Sequence, residues 1–121
     1  HPILGVGLNQ PRLYTVLYDT NLGSYTHNNL IELLAATGLI GFLLYYSIYI
    51  VIASKLLRLL SIDISDKDRI ATNTALALIA ILAITEMGWV TYYGKIPWLI
   101  LILSITCANT LLDKYDKELE K

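Results

Sequence analysis

From residue 33 to residue 54 the chain carries no Asp, Glu, Lys or Arg. At about 1.5 Å rise per residue this stretch makes a helix of about 33 Å, enough to cross a hydrocarbon core of roughly 30 Å. The pattern returns twice. Residues 70–85 are uncharged, and their apolar character continues past Glu86 through Met87, Trp89 and Val90; residues 96–112 are uncharged again. A chain of 121 residues has too small a core to bury three such helices on every side, so a bilayer is the expected solvent. The expected fold is an all-α integral membrane protein with three transmembrane helices, at about 30–54, 70–90 and 96–112. An extracytoplasmic loop segment, 1–29, precedes them, and a cytoplasmic tail, 113–121, follows.

Charge sets the orientation. Lys55, Arg58, Lys67 and Arg69 lie between the first two spans and Lys114, Lys117 and Lys121 follow the third, leaving Arg12 and Lys95 on the other side. The excess of basic residues places the 55–69 loop and the tail in the cytoplasm and His27 outside. Trp89, Tyr92, Tyr93 and Trp98 cluster about the short external turn, as amphipathic rings do at a headgroup boundary. Pro97 suits the first turn of the third helix. With a net charge of −1 and no basic stripe, nucleic acid is not an expected partner. The single cysteine, Cys107, can form no internal disulfide and completes no metal site. The first residue is His1, and the chain is expected to be the carboxy-terminal piece of a longer protein whose further helices complete the site.

Few residues have the chemistry of a site. Asn29 and Glu32 have capping-box spacing, so the first helix is expected to begin at Asn29 with His27 and Asn28 just before it. The positive end of a helix dipole disfavours an imidazolium and attracts anions. A histidine there stays neutral beside a site for phosphate, as a general base requires; the alternative is a histidine that only hydrogen-bonds at the interface. Gly38 and Gly41 would let a neighbouring helix or a lipid chain approach. Glu86 is the one acid inside a span, a functional candidate by its cost in the membrane, although its shallow depth also allows it to reach water. Arg12 and Lys95 are the external cations that could meet a diphosphate. Gly5-x-Gly7 lacks the remainder of a dinucleotide motif and reads as a turn. Nothing calls for a metal or a cofactor.

His27-Asn28, nine residues from Asn29 to Thr37, and then Gly38-Leu39-Ile40-Gly41 resemble the His-[Asn/Ser/Gln]-x9-Gly-x-x-Gly pattern of the O-antigen ligase and polymerase family of membrane glycosyltransferases. The opening "HPILGVGLN" is similar to the start of that family's large external loop, and Glu86 followed by Pro97 resembles its later spans. The resemblance implies transfer of a glycan from a polyprenyl-diphosphate carrier to an acceptor hydroxyl at the outer side of a bacterial cytoplasmic membrane, as in the synthesis of lipopolysaccharide, capsule or exopolysaccharide. It implies no metal and no nucleotide sugar. His27 would be the catalytic base; Asn28, Arg12, Gly38, Gly41 and Glu86 are the substrate-binding candidates. The expected partners are the lipid-linked glycan, a glycan or lipid acceptor, membrane lipids and the remaining helices of the full-length protein. The alternatives are a piece of a polysaccharide flippase or transporter, in which Glu86 serves the transport path and His27 is incidental, and a small structural membrane subunit.

Overall fold

The computed structural model describes residues 1–8 and 28–119; His27 and Arg12 lie outside them. The described residues form three helices and no strand: α1 (Asn29–Leu60), α2 (Asp66–Thr85) and α3 (Lys95–Leu119). All three are long and apolar enough to cross a membrane.

α1 is broken. Gly38 has φ 66° and ψ −170°, outside the helical region, so residues 29–37 form a short arm of about 13 Å and residues 39–60 a long one of about 33 Å at 1.5 Å per residue. The long arm alone has the length of a span. The charge-free window that begins at 33 therefore straddles two helical pieces, because absence of charge reports on solvent and not on backbone continuity.

Helix ends also differ from charge boundaries. α1 continues to Leu60 through Lys55 and Arg58, and α3 to Leu119 through Asp113, Lys114 and Asp116, since charged residues can lie beyond the hydrocarbon without ending a helix. α2 begins at Asp66, ahead of the uncharged stretch, because Ser65 caps it: the Ser65 hydroxyl accepts the Asp68 amide at 3.2 Å and donates to the Asp68 carboxylate at 2.8 Å. α2 stops at Thr85 and does not reach 90. The Met87 and Gly88 amides bond back three residues, to Ile84 and Thr85, each at 3.1 Å, a tightened last turn from which the chain leaves the helix.

The chain divides into two compact units, His1–Tyr46 with Ile84–Tyr93 and Ser47–Ala83 with Gly94–Lys121. The break in α1 is where residues 1–8 pack against the short arm. In the second unit the buried positions recur every three or four residues: Tyr49, Ile52, Leu56 and Leu59 on α1; Thr72, Ala75, Ile79 and Leu82 on α2; Leu101, Ser104, Ala108, Leu112 and Tyr115 on α3. One stripe of each helix thus faces protein. The other faces are just as apolar, with Ile50, Val51, Leu57, Ile81, Leu99, Ile102 and Leu103 exposed. Helices apolar all round need an apolar surrounding.

Polar contacts hold the charged end of this unit. The Asp68 carboxylate accepts from Lys114 Nζ at 2.7 Å, from the Tyr115 hydroxyl at 2.6 Å and from Ser65, while the Ser65 amide donates to Tyr115 Oη at 2.9 Å. Asp68 and Lys114 lie outside the uncharged stretches. The Lys114 ammonium, with the Tyr115 and Ser65 hydroxyls, holds the Asp68 carboxyl well below its ordinary value, and the same bond from Lys114 raises the lysine. Arg58 and Asp116 pair at 2.8 Å with both side chains well exposed, a contact of little stabilising value.

Candidate functional site

The first unit contains every described member of the sequence motif. Asn28 caps the short arm, its Oδ1 accepting the amides of Leu30 at 3.0 Å and Ile31 at 3.2 Å. The cap is thus Asn28, one residue before the Asn29 expected from capping-box spacing. The reason is what Asn29 does instead. Its Oδ1 accepts the backbone amides of Thr91 at 2.8 Å and Tyr92 at 3.0 Å, and its Nδ2 donates to the Tyr46 hydroxyl at 3.2 Å. Its own amide donates to the Glu86 carbonyl at 2.8 Å, and Asn28 Nδ2 donates to the Met87 carbonyl at 3.1 Å. The two asparagines tie the start of α1 to the turn that follows α2.

Glu86 sits at the centre of this tie, 1% exposed. Oε1 accepts from the Tyr45 hydroxyl at 2.6 Å and the Thr91 hydroxyl at 2.7 Å, and Oε2 accepts from the Tyr46 hydroxyl at 3.0 Å. A carboxyl taken out of water costs several kcal/mol unless its oxygens find donors. Here the donors are protein hydroxyls, so the side chain is turned inward and does not reach out to water. Because Tyr46 Oη receives the Asn29 amide and passes its own proton toward Glu86, Asn29, Tyr46 and Glu86 form one continuous chain of hydrogen bonds. Glu32, also buried at 2% exposure, lies on the same inner face of the short arm as Asn29, Leu33 and Ala36.

The break at Gly38 is filled by the amino-terminal residues. Interrupting a helix frees amides and carbonyls that must find partners away from water. The Leu39 and Ile40 amides donate to the carbonyls of Pro2 at 2.9 Å and Ile3 at 3.3 Å, while the Val6 and Gly7 amides donate to the carbonyls of Ala35 at 3.0 Å and Ala36 at 2.8 Å. The approach is between backbones. A Cβ on Gly38 would collide with the Ile3 carbonyl, and one on Gly5 with the Ala36 carbonyl. The backbone angles of Gly38 are open to glycine almost alone. Gly41 faces Thr37, whose side chain takes the space a Cβ would need. Both motif glycines thus meet this chain's own atoms.

Of the residues singled out from sequence, Asn28, Gly38, Gly41 and Glu86 all fall within this unit. Asn29 was singled out only as a helix cap, and Tyr45, Tyr46 and Thr91 were not singled out. Apart from the bond between Thr91 and Glu86, their partners are 17 to 63 residues away, and no local pattern announces them. Among the described residues no group of three His, Cys, Asp or Glu side chains comes together as a metal site would require. No protein-family model matches the chain, and no curated protein or solved structure matches it either.

Proposed function

We propose that the chain is part of a membrane glycosyltransferase that moves a glycan from a polyprenyl-diphosphate carrier to an acceptor hydroxyl on the outer side of a bacterial cytoplasmic membrane. One observation carries this reading. The nine residues of the motif between Asn28 and Gly38 are the short arm of α1, with the cap at one end and the break at the other. The spacing thus has a physical meaning: it measures a helical arm of about 13 Å whose cap, Asn28, follows His27 directly in sequence. Three apolar helices with outward-facing Leu and Ile side chains support the membrane setting.

In this reaction the acceptor O–H gives its proton to the neutral His27 imidazole, and the freed oxygen attacks the anomeric carbon of the glycan. The bond from that carbon to the diphosphate oxygen breaks with inversion, and polyprenyl diphosphate leaves. The leaving group is already activated, so the protein needs to supply proton removal, positioning and positive charge. Arg12 is the candidate for part of that charge, since the first amides of the arm are already taken by the Asn28 side chain and by the Glu86 and Asn28 carbonyls.

The test is transfer by the full-length protein in liposomes containing lipid-linked glycan. His27→Ala is expected to lower the rate by about 10²–10⁴-fold, the usual contribution of a general base, with abundance and insertion unchanged. Normal transfer in that variant refutes the reading. A second reading, transport of the glycan, rests on the buried acid Glu86; it predicts that Glu86→Gln blocks glycan movement and that His27→Ala is silent.

A further inference from the structure

We infer that the seam between α1 and α3 is a lipid site: its apolar part holds one acyl chain, and its charged end holds the headgroup of a phospholipid that carries both a phosphate and a primary ammonium. The inference rests on the membrane setting of the reading above and not on glycosyl transfer. Every residue in it belongs to the second unit.

Two clefts lie along one side of this helix pair. The apolar one, of about 350 Å³, is walled by Ile48, Val51 and Ile52 of α1 and by Leu101, Ile102 and Ile105 of α3. The polar one, also of about 350 Å³, contains Ser54, Lys55, Arg58, Asn109, Asp113 and Asp116. Steps of three and four residues, from 48 through 51, 55 and 58 and from 102 through 105, 109 and 113, keep each helix's contribution on one face. The clefts therefore follow each other along the seam. Val51 to Lys55 and Ile105 to Asn109 are each about 6 Å along a helix axis. The change from apolar to polar falls where the uncharged stretches end: Lys55 is the first charged residue after 33–54, and Asp113 the first after 96–112. Lys55 Nζ donates to Asn109 Oδ1, so both helices change character at nearly one level, as a bilayer does between acyl chains and headgroups.

Charge selects the headgroup. Among the described residues Lys55 pairs with no carboxylate, its partner being the neutral Asn109 amide, and Asp113 in the same cleft pairs with no cation. A cation and an acid that leave each other unmatched offer one place to a phosphate and another to an ammonium. Arg58 adds to the first. Its pair with Asp116, at 2.8 Å with both side chains well exposed, is worth little, and a phosphate accepts two parallel N–H bonds from a guanidinium. A headgroup with a phosphate and no ammonium leaves Asp113 facing like charge, and a quaternary ammonium has no N–H to donate to it. A protein helix laid over the seam would need charges of both signs at this level; a phospholipid of this kind carries them joined to its chains.

The experiment places the full-length protein in nanodiscs of phosphatidylcholine containing a little phosphatidylethanolamine with a photoreactive diazirine midway along one chain, and maps the labelled residues by mass spectrometry. Label is expected at 47–52 and 98–105 above the level at Ile81, on an exposed face of α2. Unlabelled phosphatidylethanolamine is expected to suppress it at about fivefold lower mole fraction than phosphatidylglycerol does, the discrimination that one interfacial charge provides. Lys55→Gln and Arg58→Gln are each expected to lower the labelling by up to about fivefold, and Asp113→Asn to remove the preference for phosphatidylethanolamine over phosphatidylglycerol. Label no higher in the seam than at Ile81 overturns the site, showing that further helices of the protein cover it or that lipid only passes by. Equal suppression by the two lipids, or a preference that survives Asp113→Asn, overturns the headgroup assignment. His27→Ala is expected to label as wild type does, whether or not it transfers glycan, so failure of the transferase reading and failure of the lipid site are read separately.

Discussion

Asn29 Nδ2 lies 3.2 Å from the Tyr46 hydroxyl although the two residues are 17 apart along α1. In an unbroken helix their Cα atoms would be about 25 Å apart at 1.5 Å per residue, far beyond the reach of either side chain. The contact exists because the chain turns at Gly38, bringing the ends of two roughly equal helical lengths, 29–37 and 39–46, toward each other. The same turn admits Tyr45 and Tyr46 together to Glu86.

The turn should therefore depend on Gly38. Any side chain there faces a backbone strain of about 1–3 kcal/mol in addition to collision with the Ile3 carbonyl. Gly38→Ala is expected to destabilise the folded protein by at least about 2 kcal/mol in detergent unfolding. Gly88→Ala, where an added Cβ meets nothing within 4 Å, is expected to stay within about 0.5 kcal/mol. Equal stability of Gly38→Ala and wild type would argue for a continuous α1.

Asp68 makes stability depend on acid. Its folded-state carboxyl is held below the ordinary value of 3.8 by Lys114, Tyr115 and Ser65. A depressed carboxyl contributes stability that is complete above the unfolded pKa and is lost as pH falls through the folded one. Asp68→Asn is thus expected to be less stable than wild type at neutral pH, with the gap closing only as pH drops below about 3.8. A gap independent of pH over that acid range would show that the charge of Asp68 is not what the contact uses.

The seven cations of the 55–69 loop and the tail against Arg12 and Lys95 predict an orientation that labelling can test. Single cysteines at positions 23–28 are expected to react with an impermeant reagent added from outside, and those at positions 61–68 are expected to react only after permeabilisation. The reverse pattern would invert the protein.

Three apolar helices were legible in the sequence because they depend on local composition: long runs without charge mark them, although the start of α2 at Asp66, capped by Ser65, lies ahead of the uncharged run that was read as the span. The break was not. A glycine in an apolar run ordinarily signals close packing, and nothing near Gly38 says that Pro2, Ile3, Val6 and Gly7 will complete its backbone bonds. The end of α2 was hidden for a related reason, since Met87, Trp89 and Val90 stay apolar after the helix has stopped. Glu86 could be singled out as an acid among apolar neighbours, but the hydroxyls that receive it come from Tyr45 and Tyr46, 41 and 40 residues away. Asn29 stood one position from the true cap, and only the tertiary contacts with Thr91 and Tyr92 distinguish it from Asn28.

The most direct test follows the charge of His27 while transfer proceeds. With histidine labelled at the ring in the full-length protein, the His27 signal is identified by comparison with a His27→Gln sample. The ring is expected to be neutral at pH 7, as a general base must be. The transfer rate is expected to fall with the same midpoint as the ring gains its proton. A His27 ring still cationic at pH 7.5 in a protein that transfers glycan at full rate would contradict the account.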